Sequence, residues 1–338
     1  MVTYVPILKG RRGELDALAH LAPETVAHLA PIIEVQRTEH GSAKDTSDFG
    51  SRIGDSIPRG LTVAVDVRHL ADAASGQRGP MRYLAEDFER WQVPLLPVLH
   101  PHDSAERMAD ARYAAALHCA RAVVRLNGPA TDLDDEAAEQ FLRRVRDHAG
   151  LGPEACDLVL DMAAVQSDRE LTRLEPIARK RLAWAQRNPW RSVTVAAGAM
   201  AESIAHLPTQ AATRLRRWDA ALWERIQEAG VQYGDYGTAH PRMTSGGRRP
   251  APNLRYTTDD AWWIYRWPER ESGHAMRRLC ETVIASPQWP AAGAAFSWGD
   301  QEIARCAAGH AGPGNPSNWR AWSTSHHLAQ VVSRLNHP

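Results

Sequence analysis

The chain has 338 residues, 43% hydrophobic and 24% charged, with forty Lys plus Arg against forty Asp plus Glu and no formal net charge. That length exceeds a small single core but suits one barrel-sized domain. Zero net charge excludes a protein that coats nucleic acid through a broad basic face, while leaving room for a local basic pocket.

Taken in chain order, short apolar, β-branched runs alternate with helical patterns. "YVPILKG" (4–10) leads into "RGELDALAHLAPETVAHL", whose apolar residues recur at three and four. "APIIEV" (30–35) is followed by a polar stretch, 40–60, read as a loop with a short helix. "LTVAVDVRH" (61–69), "VPLLPVLH" (93–100) and "AVVRLNG" (122–128) come next, the last before the helical "DEAAEQFLRRVRDHAG". "CDLVLDMAAV" (156–165) precedes "SDRELTRLEPIARKRLAWAQ", and "SVTVAAGAM" (192–200) and "VQYGDYGT" (231–238) complete the series. Continuous apolar runs, rather than alternating ones, indicate strands buried on both faces.

Eight strands alternating with helices predict an α/β fold of the (β/α)8 TIM type, which takes roughly 250 residues. An open doubly wound sheet is the competitor, but its Gly-rich first turn is missing: the first turn reads "LKGRRGE". Past the eighth run, "NLRYTTDDAWWIYRW" (253–267) has two alternating segments around "TTDD" and predicts a β-hairpin after a Gly-, Pro- and Arg-rich loop. The expectation is a single domain over 1–338, with a hairpin insertion at 240–268 and a C-terminal helical extension at 296–338 packing on the barrel. Asp300 is a candidate cap for the helix "QEIARC", and Ser317 or Ser323 for the last helix.

The four cysteines, Cys119, Cys156, Cys280 and Cys306, form no CxxC pair, which points to a reduced, cytoplasmic setting. The N-terminal segment lacks the apolar core of a signal peptide, and no run of eighteen apolar residues occurs; a protein without a membrane partner is expected.

In barrels of this type, residues at the C-terminal strand ends face the active site. Here those ends carry Lys9, Glu34, Asp66, Arg68, His100, Arg125, Asp161, Asp235 and Tyr236, more polar groups than core packing needs. Lys9 suits phosphate binding or a Schiff base. Glu34 suits a base, a nucleophile or a metal ligand. Asp66 and Arg68 share one face of a strand by the period of two. Glu34, Asp66, Asp161 and Asp235 together would favour magnesium or manganese on ligand hardness; as a carboxylate pair, Glu34, Asp161 and Asp235 would be the glycosidase candidates. Arg255 and Tyr256, on the predicted hairpin, are placed to clamp an anion at the barrel mouth. No GxSxG elbow, P-loop, HExxH or zinc-ribbon spacing is present.

"YVPILKGRRGELDAL", "APIIEV", "NLRYTTDDAWW" and "GNPSNWRAWSTSHHL" together resemble the family named after the beta protein of T4-like phage, found in phages and widely in bacteria. The resemblance runs from residue 4 to about residue 332. It places the family's lysine on Lys9, its acid on Glu34, its "RYT" arginine on Arg255, and its terminal residues on Trp319, Arg320, His326 and His327; Ser325 stands where the family's Asn is expected. Its distribution implies a role in phage–host conflict.

In the last helix Trp319, Trp322 and His326 share a face, while His327 points about 100° away. Adjacent histidines on an ideal helix do not meet at one zinc, so the segment reads as a docking helix that can complete a site rather than a metal motif. The combined expectation is a barrel that binds, and hydrolyses or transfers, a phosphate-bearing, nucleotide-like ligand. Lys9, Arg68, Arg125 and Arg255 would neutralise the phosphate, with His100, Tyr236, Tyr256, Trp319 and His327 as further contacts. Glu34, Asp66, Asp161 or Asp235 would act as base or hold a divalent ion, and His326 as acid. The alternative is a non-catalytic barrel that captures a partner protein, a peptide or a signalling nucleotide in a defence system.

Overall fold

The computed structural model describes residues 3–336 apart from 55, 74–76, 128–134, 210, 229, 244–249 and 269–273. Part of the predicted Gly- and Arg-rich loop, 244–249, therefore lies outside the described residues.

All eight predicted runs form strands: β1 (Tyr4–Leu8), β2 (Ile32–Glu34), β3 (Val63–Asp66), β4 (Leu95–Leu99), β5 (Ala122–Asn127), β6 (Cys156–Ala164), β7 (Ser192–Gly198) and β9 (Val231–Asp235). They make a closed barrel in the order β1-β2-β3-β4-β5-β6-β7-β9, every pair parallel. The seam between β1 and β9 sets Tyr4 opposite Tyr233 and Pro6 opposite Asp235. The chain is thus a (β/α)8 TIM-type α/β fold.

Its helices are α1 (Arg12–Ala19), α2 (Pro23–Val26), α3 (Ser42–Ile53), α4 (Pro80–Arg90), α5 (Ala105–Leu117), α6 (Asp135–Arg144), α7 (Asp168–Ala185) and α8 (Trp218–Ile226). After the barrel come α9 (His274–Ile284), α10 (Trp298–Ala307) and α11 (Pro316–Asn336). Among the described residues, no helix is long and apolar enough to cross a membrane.

Beside the barrel, β10 (Asn253–Thr257) pairs antiparallel with β11 (Ala261–Arg266), and β11 pairs on its other edge with β8 (Thr213–Arg216). The sequence reading missed β8. Its "TRLR" holds one apolar residue and stays partly exposed, so no hydrophobic run announces it.

Strand alternation divides the packing into two shells. Val5, Ile7, Ile32, Ala64, Leu96, Val98, Val123, Val159 and Ala196 fill the barrel interior. The opposite faces, including Leu8, Ile33, Val65 and Leu95, pack with helix residues such as Leu15, Phe49 and Leu84. Helix α11 buries every residue from Ala321 to Leu328. It lies so close to α1 that a Cβ on Gly13 would stand 2.2 Å from the Ser317 carbonyl oxygen. Two caps differ from expectation. Ser297, not Asp300, caps α10 by accepting from the Asp300 N–H. Asn315, rather than Ser317 or Ser323, serves α11, its side-chain oxygen accepting from the Ser317 N–H at 2.9 Å.

Candidate functional site

The period of two sends Lys9, Glu34, Asp66, His100, Arg125, Asp161 and Tyr236 to the same inner face as the apolar shell, at the C-terminal end of the barrel. Arg125 stands at their centre, 0% exposed. Its Nη1 donates to Glu34 Oε1 at 2.7 Å and to Asp66 Oδ2 at 2.8 Å. Its Nε and Nη2 donate to Asp161 Oδ2 at 3.0 and 2.8 Å, and Nη2 also donates to the Tyr236 hydroxyl at 2.8 Å. A guanidinium has five N–H groups, and these bonds use them all. Lys9 Nζ donates to Glu34 Oε2 at 2.6 Å and to the Pro241 carbonyl.

Burial would lift the Glu34 carboxyl, but Arg125 and Lys9 outweigh it and hold the group well below the usual carboxylate range. Asp66 is likewise held low, with burial outweighed by His100 and Arg125. Burial pulls Lys9 down against the opposing pull of Glu34. Tyr236 is pushed up, chiefly by burial, so it keeps its proton and donates to Asp161 Oδ2 at 2.6 Å. Asn127 donates to the same oxygen at 2.7 Å. The three carboxylates of the ring are each paired within it, and Arg125 has no N–H left for a ligand.

One member of the ring opens outward. His100, 8% exposed, holds Asp66 through Nε2, which lies 3.0 Å from each carboxylate oxygen. Its Nδ1 has no hydrogen-bond partner among the described residues and is not sealed in the interior. His100 lines a cleft of about 580 Å³ together with Arg68, His102, Asp103, Arg107 and Asn127. Arg107 is committed to Asp72 and to the Val67 and Leu70 carbonyls. Arg68 has no carboxylate within 4.0 Å among the described residues, which leaves it the available cation of the cleft. A second cavity, about 390 Å³, lies at the opposite barrel end against Val5, Ala64, Leu96, Val123 and Val159. That end of such barrels serves stability rather than chemistry.

The other candidates fall into separate clusters. Asp235, one residue before inward-facing Tyr236, points to the outer layer. Its Oδ1 accepts from Tyr4 Oη at 2.6 Å and the Gly237 N–H at 2.8 Å. Its Oδ2 meets His327 Nε2 at 2.9 Å, Arg217 Nη2 at 3.1 Å and Tyr233 Oη at 3.1 Å. His326 turns to the C-terminal helices: Nδ1 is 3.0 Å from Asp300 Oδ2, and Nε2 is 2.9 Å from the Thr257 carbonyl. Tyr256 stacks on His326 at 3.8 Å and donates to Asp300. Trp319 donates to the Pro313 carbonyl at 2.7 Å. Arg255 donates to the Thr238 carbonyl and is half-buried on β10.

A magnesium or manganese centre does not fit these residues. Arg125 fills the space between Glu34, Asp66 and Asp161, and Asp235 faces away from them. Among the described residues, no group of three or more His, Cys, Asp or Glu is placed to hold a metal.

Several participants escaped the sequence reading. Asn127 was findable, since it lies two residues beyond Arg125 on the same face of β5. Arg217 was not, because the strand before it went unrecognised, and Tyr4 reads as an ordinary core aromatic.

Among curated proteins none matches the chain. The family model described as Beta protein matches residues 4–333, nearly the whole length, and the chain belongs to that family.

Proposed function

We propose that the chain acts on a phosphate-bearing ligand of nucleotide type in the cleft beside His100, as a hydrolase or transferase. The observation that carries this reading is the Asp66–His100 pair, whose free nitrogen opens on that cleft next to Arg68. With Nε2–H donated to Asp66, Nδ1 is the accepting nitrogen, the arrangement of a general base oriented by a carboxylate. Nδ1 takes a proton from the attacking water or hydroxyl as its oxygen bonds to phosphorus. The bond from phosphorus to the leaving oxygen breaks, and the proton on His100 is given to that oxygen. Arg68 stabilises the charge on the phosphoryl oxygens. Asp66 is a positioning residue, fixed in turn by Arg125. His326, 1% exposed with both ring nitrogens engaged, is remote from this chemistry, so the acid role passes to His100.

The test is ³¹P NMR of the protein with a panel of nucleoside triphosphates and phosphate monoesters. Wild type forms product on at least one of them. His100→Asn lowers the rate by about 100-fold or more, while Arg68→Ala chiefly weakens binding. Turnover that survives His100→Asn unchanged contradicts the assignment.

A second reading, capture of a ligand or defence-system partner without turnover, is favoured by the saturation of the ring: every Arg125 N–H is used inside the protein. On that reading a stoichiometric ligand binds and no product forms.

A further inference from the structure

The cavity at the N-terminal end of the barrel has a lining that core packing does not explain. Barrel interiors are filled by layers of side chains in which bulky branched residues dominate. The middle layer mostly follows that rule: Ile32, Ala64, Val123, Val159 and Thr194 face inward. Two residues earlier on each strand, the period of two puts Ala30, Thr62, Arg121, Asp157 and Ser192 on the same face, and all five line the cavity. These residues are small or charged. No bulky layer closes this end, and a space of about 390 Å³ remains. Roughly 150 Å³ suffices for a benzene-sized guest.

The mouth of the cavity is unbalanced in charge. Arg121 Nη2 donates to Asp157 Oδ2 at 2.6 Å, and Ser192 Oγ donates to Asp157 Oδ1 at 2.8 Å. Arg191 stands beside the same carboxylate, with its Nε 4.0 Å from Asp157 Oδ1. Among the described residues, neither arginine has a second carboxylate within 4.0 Å. Two guanidinium groups therefore share one carboxylate, and one positive charge is left over. Arg191 makes no side-chain hydrogen bond among the described residues, and its side chain is 43% exposed. Arg121 Nη1 has no partner there either and is not sealed in the interior. Deeper in, Thr194 spends its hydroxyl on Gln232 Oε1 at 3.1 Å, so the chamber offers a guest mainly Val5, Ala64, Leu96, Val123 and Val159. An apolar chamber with one spare cation at its entrance complements an amphipathic monoanion, and the planar fork of arginine matches a carboxylate.

We infer that this end of the barrel binds a medium-chain aliphatic monocarboxylate, its tail among Val5, Ala64, Leu96 and Val123 and its carboxylate on Arg191 and Arg121. The site is separate from the cleft beside His100 and independent of any turnover there.

The experiment is calorimetric titration with octanoate. One octanoate binds saturably to the wild-type protein. Hexanoate binds about tenfold or more weakly, since two methylenes fewer are buried. 1-Octanol, with the same tail and no charge, is weaker by about tenfold, as is octanoate on Arg191→Ala. Ala64→Leu fills the chamber and abolishes binding. Arg191 lies on the surface, so its replacement tests the charge even where Ala64→Leu disturbs packing. Absence of saturable octanoate binding overturns the inference. So does octanol binding as tight as that of octanoate, or octanoate binding that is indifferent to Arg191→Ala or to Ala64→Leu.

Discussion

Arg125 decides the character of the barrel mouth. Three buried carboxylates converge on one guanidinium, so its removal leaves charges that water does not reach. Arg125→Met is expected to cost about 3–5 kcal/mol or more, read from urea unfolding at neutral pH. The deficit shrinks as pH is lowered, because protonated carboxyls no longer need the cation. A variant as stable as wild type at pH 7 would show that the ring is not the closed network described. Asp235 makes a complementary case. Burial would raise its pKa, but His327, Arg217 and Tyr4 outweigh burial and hold it to about 2, against an ordinary 3.8. The folded value lies below the unfolded one, so the stabilisation is complete above about pH 4 and is lost as pH falls toward 2. Asp235→Asn should lose about 2 kcal/mol at neutral pH and show a flatter acid-unfolding curve. An acid limb identical to that of wild type would exclude this role for Asp235.

At the scale of elements, the period of two explains both what the sequence revealed and what it hid. Lys9, Glu34, Asp66, His100, Arg125 and Asp161 all follow an inward-facing apolar residue by two, and they assemble as their places at strand ends suggest. Asp235 and Tyr236 are neighbours in sequence, yet alternation sends Tyr236 into the ring and Asp235 into the outer layer. Their grouping in one site came from proximity along the chain, not from facing. That Arg125 would fill the centre was illegible, because its partners lie 36 to 111 residues away and only the closed barrel brings them together. Ser325 shows the same limit in the last helix. Its Oγ accepts from the Gly299 N–H at 3.0 Å, where α10 and α11 approach too closely for a side chain: a Cβ on Gly299 would lie 2.1 Å from the Trp322 carbonyl oxygen. Ser325→Ala leaves that buried N–H without its acceptor and should cost about 1–3 kcal/mol, measured by thermal or chemical unfolding. A neutral outcome would mean that the contact contributes nothing to stability.

Across the whole molecule, the two ends of the chain hold each other. Tyr4, in the first strand, meets His327 at 3.0 Å, and α11 packs along α1 while its other side covers β10 and α10. A protein ending at Asn315 exposes the seam between β1 and β9 and is expected to lose its native near-ultraviolet circular dichroism; retention of that signal would make the helix dispensable. The same organisation divides the C-terminal face into two sides. The β1–β9 side is tied down by α11, and the β3–β5 side carries the cleft in which His100 and Arg68 remain available. The most direct test of that claim is a titration of ¹⁵N-histidine-labelled protein with a nucleoside triphosphate, followed by imidazole NMR. The account predicts a saturable shift of the His100 Nδ1 resonance that Arg68→Ala weakens, with His326 and His327 unmoved. A titration that leaves His100 unchanged, or that moves only His326 and His327, would contradict it.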